Sequence, residues 1–372
     1  MNIAINALRA KSGGAITHLT SLINNLELLK DKFSSVHVWS YKELIEKLPK
    51  EKWLFVYEIS SKNVINSLIF EKYVLKSLVE KKNCDILLNV DAGSLSTFSP
   101  SVTMSRDMLS YERGEIQRYG ASLSSIRLLL LRYIQNYSLN QAEGVIFLTN
   151  YAASVIQKSC GRLKNYKIIP HGTNKEFYKV KVDPYWKVTD QIDIIYLSNV
   201  APYKHQWHVV RAMKFLRDKG YKITLHLVGG SKIGSNSEKR LLNSILDFDP
   251  YRKYTTLYKF LDAKSIIKIM EFSKIFLFAS SCENMPNTLL DGMASGLPIV
   301  CSNRGPMPEV LQDAGLYFNP ESPLSIAEAT EKVIKDQNLR VSISKSAKEI
   351  SKRFNWENTS IQTLEFLKIT LN

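Results

Sequence analysis

The chain has 372 residues, long enough for two domains that each bury a core, and 50 Lys and Arg against 35 Asp and Glu give it a net charge of +15. That charge favours an anionic partner, but no RNP-like segment, zinc-finger spacing or basic tail is present and acids are mixed among the bases, so a membrane surface or phosphorylated ligand is expected and nucleic acid is not. No apolar run is long enough to span a bilayer, the first residues resemble a strand and lack the charged region and cleavage site expected of a signal peptide, and four scattered cysteines (Cys84, Cys160, Cys282, Cys301) form no metal-ligand pattern, so a soluble or peripheral cytosolic protein with reduced, packed thiols is expected.

Residues 2–8 read as a buried strand. Arg9-Ala-Lys-Ser-Gly-Gly14 follows, and then a helical pattern through Ile16, Leu19, Leu22, Ile23 and Leu26, so the chain opens with a βα unit. Gly13 and Gly14 form either a plain tight turn or a place where backbone approaches a ligand with no Cβ in the way. Short apolar runs recur at 36–39, 85–90, 101–104 and 144–149 with helices between them, the alternation of a mostly parallel sheet covered on both faces. Arg106 and Asp107 stand just past the 101–104 run, either as a surface ion pair or as chemistry at a strand end. Residues 124–135 are an apolar helical run with Arg127 and Arg132. It reads by default as a core helix with two solvated arginines, and alternatively as a helix pressed against an anionic bilayer. His171 follows a short strand in Pro-His-Gly, a structural position unless it touches substrate. The polar stretch 174–191 lacks periodicity and reads as an interdomain linker.

The second half restarts the plan with an apolar run at 192–197, a loop carrying Asn199 and Lys204, and a helix through Trp207, Val210, Met213 and Leu216. Lys204 is either surface charge or a cation at a strand's carboxyl end. A strand at 223–228 ends in Gly229 and Gly230. Asp247-Phe-Asp249 has the form of a metal-binding triplet, but it follows a helical segment instead of a strand, so no metal site is expected there. The run at 274–280 is too short for a typical helix and reads as a buried strand leading into Glu283-Asn-Met-Pro-Asn-Thr-Leu-Leu-Asp291. A helix should start near Asn287 or Thr288, both capable N-caps, bury Leu289, Leu290 and Met293, and stop at Gly296 with Pro298 behind it. Such a loop aims backbone N–H groups past the strand's carboxyl end, where an open α/β sheet binds phosphate. Two carboxylates there suit a ligand bearing sugar or ribose hydroxyls as well as phosphate; alternatively Asp291 complements the helix dipole and Glu283 is a solvated loop acid.

Glu283 and Asp291, eight positions apart, together with Ala-Ser-Gly-Leu-Pro-Ile-Val at 294–300, resemble the signature of the retaining glycosyltransferases of family 4. One position departs: Asp291 stands where that family usually has a second glutamate, one methylene longer. The resemblance covers most of the chain and is strongest from about 192 to 320. It implies an α/β, GT-B fold of two Rossmann-like domains facing across a cleft. Residues 1–174 would form the acceptor-side domain, with the final helix 356–372 packed back on it, and 175–355 the nucleotide-sugar-binding domain. It implies catalytic roles for Glu283, Lys204, Arg106 in the place of a usual histidine, and Asp107. It implies donor contacts from Gly13, Gly14, Asn199 (where an arginine is usual), Lys204, Asn284, Met285, Pro286, Asn287, Thr288 and Asp291, with His171 as a possible acceptor or sugar contact.

Likeness of the Arg106-Asp-Met stretch to mannose-transferring members implies a GDP-mannose donor; with Asp247-Phe-Asp249 set aside, no metal or other cofactor is expected. The members most resembled build surface polysaccharide such as O-antigen on lipid-linked carriers. They imply a nucleotide sugar donor, a lipid-linked saccharide acceptor and an anionic membrane surface at the cytoplasmic face, and no nucleic acid. Two rivals explain less: a GT-B nucleotide-sugar epimerase should show a paired acid and base, and a non-catalytic anionic-surface or RNA binding protein leaves Glu283, Asp291 and Lys204 without a role.

Overall fold

The computed structural model describes residues 1–10, 13–60 and 63–372. The chain forms two compact units, Met1–Gly172 with Phe354–Asn372, and Thr173–Arg353. Each is built on one all-parallel sheet.

The first unit's sheet has seven strands: β1 (Asn2–Asn6), β2 (Ser35–Ser40), β3 (Leu54–Glu58), β4 (Ile86–Asn89), β5 (Ser101–Met104), β6 (Gly144–Phe147) and β7 (Tyr166–Ile168), in the order β3-β2-β1-β4-β5-β6-β7. The order reverses between β1 and β4, which makes the space past their carboxyl ends the natural ligand crevice of this unit. β4, β5 and β6 are buried on every residue, as a sheet covered on both faces requires. The helix Gly13–Leu26 buries Leu19, Leu22, Ile23 and Leu26. The final helix Trp356–Leu371 lies against it, with Ser360 Oγ donating to Leu22 O at 3.2 Å. Part of the expected glycine turn, Lys11 and Ser12, falls outside the described residues.

The second unit's sheet has six strands: β8 (Ile192–Leu197), β9 (Ile223–Val228), β10 (Thr255–Tyr258), β11 (Ile275–Phe278), β12 (Ile299–Ser302) and β13 (Leu316–Phe318), in the order β10-β9-β8-β11-β12-β13. Its reversal lies between β8 and β11. Gly292 lets the helix Asn287–Ser295 settle on β11: a Cβ there would meet Phe276 Cδ1 at 2.6 Å. The edge strands β3, β10 and β13 escape the sequence reading, because each has one neighbour and keeps partly exposed side chains instead of an apolar run.

Two expectations are corrected. The stretch 174–191 is no loose linker. Its charges are solvated, but the apolar residues spaced among them, Phe177, Val180 and Trp186, are buried in the second unit. There Arg340 lies 3.9 Å over the Trp186 ring and donates to Trp186 O at 2.7 Å. The run at 124–135 lies in the helix Leu123–Gln141, and most of its apolar side chains are exposed, so it is not a core helix.

Candidate active site

The loops after β8 and β11 emerge side by side at the reversal of the second sheet, and backbone geometry joins them. Ser281 N donates to Tyr203 O at 2.8 Å, and the His205 ring nitrogen Nε2 and Ser281 Oγ share a hydrogen bond of 2.9 Å. His205 takes a left-handed conformation (φ 52°, ψ 28°) just before the helix Gln206–Asp218, which turns the chain sharply and presents Lys204 to the other loop. Tyr196 Oη donates to Lys204 O at 2.6 Å and fixes that backbone from below. Burial, and then the nearby Glu283, hold the Tyr196 phenol well above its usual range, so it remains a donor.

The two sequence-expected catalytic residues of this unit meet directly. Lys204 Nζ donates to Glu283 Oε1 in an ion pair with side-chain exposures of 9% and 16%. The ammonium also lies 5.3 and 5.4 Å from the ring centres of Tyr203 and Phe278, whose faces favour a cation. Asn284, Met285 and Pro286 are buried behind Glu283, while Asn287 and Thr288 keep partial exposure. The helix starts at Asn287, with Pro286 in the cap position and no side-chain cap, so neither Asn287 nor Thr288 is the N-cap. The chain ahead of it is already held, since Asn287 N donates to Met285 O.

Asp291 follows one turn later. Protein encloses its carboxyl although the residue keeps some exposure, and burial alone, with no compensating hydrogen bond or cation, pushes its pKa up to about 8. A carboxyl with open hydrogen-bonding capacity beside a helix start suits a ligand hydroxyl. Asn199 is exposed on the β8 loop, and its carbonyl accepts from Gln206 Nε2. Gly229, at φ 140°, lets the β9 loop pass close to this segment: a Cβ would be 2.2 Å from Ser198 O. Asp249 is absorbed in structure, taking the backbone N–H groups of Lys253, Tyr254 and Thr255 at 2.7–3.1 Å. Among the described residues no group of His, Cys, Asp or Glu has metal-binding geometry.

The first unit gathers a different set. Gly13 and Gly14 open the helix Gly13–Leu26. Arg106 Nη1 donates to Ala15 O at 3.3 Å, and Asp107 accepts from Leu109 N at 3.1 Å and Gln135 Nε2 at 3.4 Å. Both residues keep partial exposure, but protein surrounds their charged ends, and that burial pushes the Asp107 carboxyl up and the Arg106 guanidinium down. His171 is buried with a ring nitrogen 3.0 Å from His18 Nδ1, and both rings lie against Trp356. Burial first, then His171 and Arg106, hold the His18 pKa well below the ordinary value.

Sequence reading missed His18, and it missed the polar cluster at the β1–β4 reversal. In that cluster Asn6 Nδ2 reaches Glu71, Asn89 and Ser94 at 3.0–3.2 Å, and Arg9 Nη2 pairs with the fully buried Glu71 at 3.2 Å. Only the polar Asn6 and Asn89 at otherwise apolar strand ends hinted at it.

Residues 182–350, all inside the second unit, match the family described as Glycosyl transferases group 1. The second unit is thus similar to a group 1 glycosyltransferase domain. The chain is 31% identical over 97 residues to O-antigen chain mannosyltransferase B of Escherichia coli, covering 26% of each protein. It spans between a quarter and a half of the length of this and similar curated relatives. Among solved structures, sucrose-phosphate synthase from Thermosynechococcus elongatus aligns with a TM-score of 0.79 at 16% identity, covering 99% of this chain and 98% of that one. Anabaena HepE in complex with UDP-glucose aligns with a TM-score of 0.76 at 19% identity, covering 99% and 100%. The fold is therefore of GT-B type, with two parallel-sheet Rossmann-like domains.

Proposed function

We propose that the protein is a retaining glycosyltransferase that moves a hexose from a nucleotide sugar to a hydroxyl of a lipid-linked saccharide, in surface-polysaccharide or O-antigen synthesis at the inner face of the cell membrane. The observation that carries this reading is the Lys204–Glu283 pair at the sheet reversal, with the unsatisfied Asp291 carboxyl one turn into the adjoining helix. A cation, a sugar-facing carboxylate and a ribose-facing carboxyl are what a nucleoside diphosphate sugar needs.

In this reaction the acceptor oxygen attacks the anomeric carbon from the face the diphosphate leaves. The bond from that carbon to the β-phosphate oxygen breaks, and the acceptor's proton passes to the departing phosphate. Lys204 stabilises the charge that develops there, Glu283 orients the transferred sugar and Asp291 the ribose. Arg106 and Asp107 of the first unit are assigned to the transferred sugar, and no metal is required.

Mannose from GDP-mannose is the donor favoured by the Arg106-Asp-Met stretch and by the name of the Escherichia coli relative. The HepE complex favours UDP-glucose as the second choice. Nucleotide release from a panel of nucleotide sugars, with the product's anomeric configuration read by NMR, tests both. GDP-mannose should be turned over in EDTA with retention. Release from no nucleotide sugar sinks the reading, an inverted product removes retention, and strict metal dependence reopens Asp247 and Asp249.

A further inference from the structure

The helix Leu123–Gln141 reverses the usual distribution of polarity. Its buried positions are Leu128, Gln135, Ser138 and Leu139, and Gln135 is hydrogen-bonded inside the unit to Ser110 Oγ at 2.9 Å and to Asp107. Its outward face carries Leu123, Ile126, Leu130 and Tyr133, exposed by 85%, 56%, 60% and 75%. Spacings of three and four place them on one stripe. The helix has no Asp or Glu in its 19 residues, and its charges are Arg127, exposed beside the stripe, and Arg132. An apolar stripe open to water is a contact surface waiting for cover.

Two occupants have to be weighed. A second copy docked through this stripe about a twofold axis would bring Arg127 toward its own equivalent in a desolvated contact, where like charges repel. An anionic bilayer accepts the apolar side chains between its headgroups and binds the arginines whose stems lie along the interface. No helix among the described residues is long and apolar enough to cross a membrane, so the arrangement is that of a helix lying on the surface.

We propose that the outward face of Leu123–Gln141 docks the first unit on an anionic bilayer. The proposal deepens the membrane part of the proposed function and rests on that reading for its purpose. Co-sedimentation with vesicles of phosphatidylglycerol and phosphatidylcholine, against phosphatidylcholine alone, tests it. The protein should pellet with the anionic vesicles and release as salt is raised from about 0.05 to 0.5 M. Ile126→Glu with Leu130→Glu, and separately Arg127→Glu with Arg132→Glu, should each lower partitioning about tenfold or more. Nucleotide release from the sugar donor should stay within about twofold of wild type in both variants, since every changed side chain is on the first unit's surface.

Wild-type protein left in the supernatant overturns the proposal, as do variants that pellet like wild type. So does a wild-type dimer in light scattering that Leu130→Glu converts to monomer. Vesicle binding without nucleotide release would sink the enzymatic reading and leave this one standing.

Discussion

Both units place polar groups past the carboxyl ends of a parallel sheet, at the point where strand order reverses, and they do it with opposite construction. In the second unit two loops carry one charge each, Lys204 and Glu283, and both side chains retain a little exposure. In the first, Asn6, Arg9, Glu71, Asn89 and Ser94 converge from separate segments into a cluster whose acid is fully buried. Ionised groups left accessible on loops are available to a ligand. A buried carboxylate that satisfies several donors is first of all part of the fold, and burial pushes the Glu71 pKa up despite Arg9. The difference leads to the expectation that mutation removes chemistry at the second unit's site and structure at the first unit's cluster.

The largest effect should come from the first unit. Glu71→Ala leaves the Arg9 guanidinium without its counterion and should destabilise by about 3–5 kcal/mol, read as a fall in denaturant midpoint. An unchanged midpoint would erase the contrast between the units. Lys204→Ala should instead lower turnover about 100-fold or more with the thermal midpoint nearly kept; ordinary activity with an intact circular dichroism spectrum would remove Lys204 from the chemistry. Within the second unit, Glu283→Gln should cut transfer severely while nucleoside diphosphate still binds, whereas Asp291→Ala should weaken that binding about tenfold in calorimetry. The reverse pattern would exchange the two roles.

The smallest effect sharpens the comparison through pH. His18 has a depressed pKa, so the unfolded chain binds more protons, and its contribution to stability falls as pH drops below the ordinary value of 6.5. Asp291 is raised to about 8 from 3.8, so the native state binds more protons, and stability falls as pH rises across that range. His18→Phe should flatten the acid limb of a midpoint-against-pH profile, and Asp291→Asn the alkaline limb. If each variant flattens the other limb, the two environments are wrongly described.

The strand, loop and helix at 275–295 were legible in the sequence because every residue that defines them is local: an apolar run, a polar loop, Leu289, Leu290 and Met293 at helical spacing, and Gly296 at the end. Lys204 was found through the family resemblance, since its place on the loop after β8 alone fits a surface charge equally well. The Arg9–Glu71 cluster was hidden because its members lie up to 88 residues apart, so no window contains it. His18 was hidden because one histidine in an amphipathic helix announces nothing until His171 arrives 153 residues later. The helix Leu123–Gln141 misled for another reason: an apolar stripe has the same spacing whether it faces a core or the outside. Trp186 misled in the opposite direction, since the charges around it masked one deeply anchored ring.

Under the proposed function, the Lys204–Glu283 contact would give donor capture the character of a partner exchange. The ammonium already has an anion, so a diphosphate bound there would have to displace a carboxylate instead of filling an empty electrostatic well. The net gain would be the difference between two ion pairs, and the displaced Glu283 would be released toward the sugar only when a diphosphate is present. A nucleoside lacking phosphates would then leave the pair closed and the carboxylate occupied.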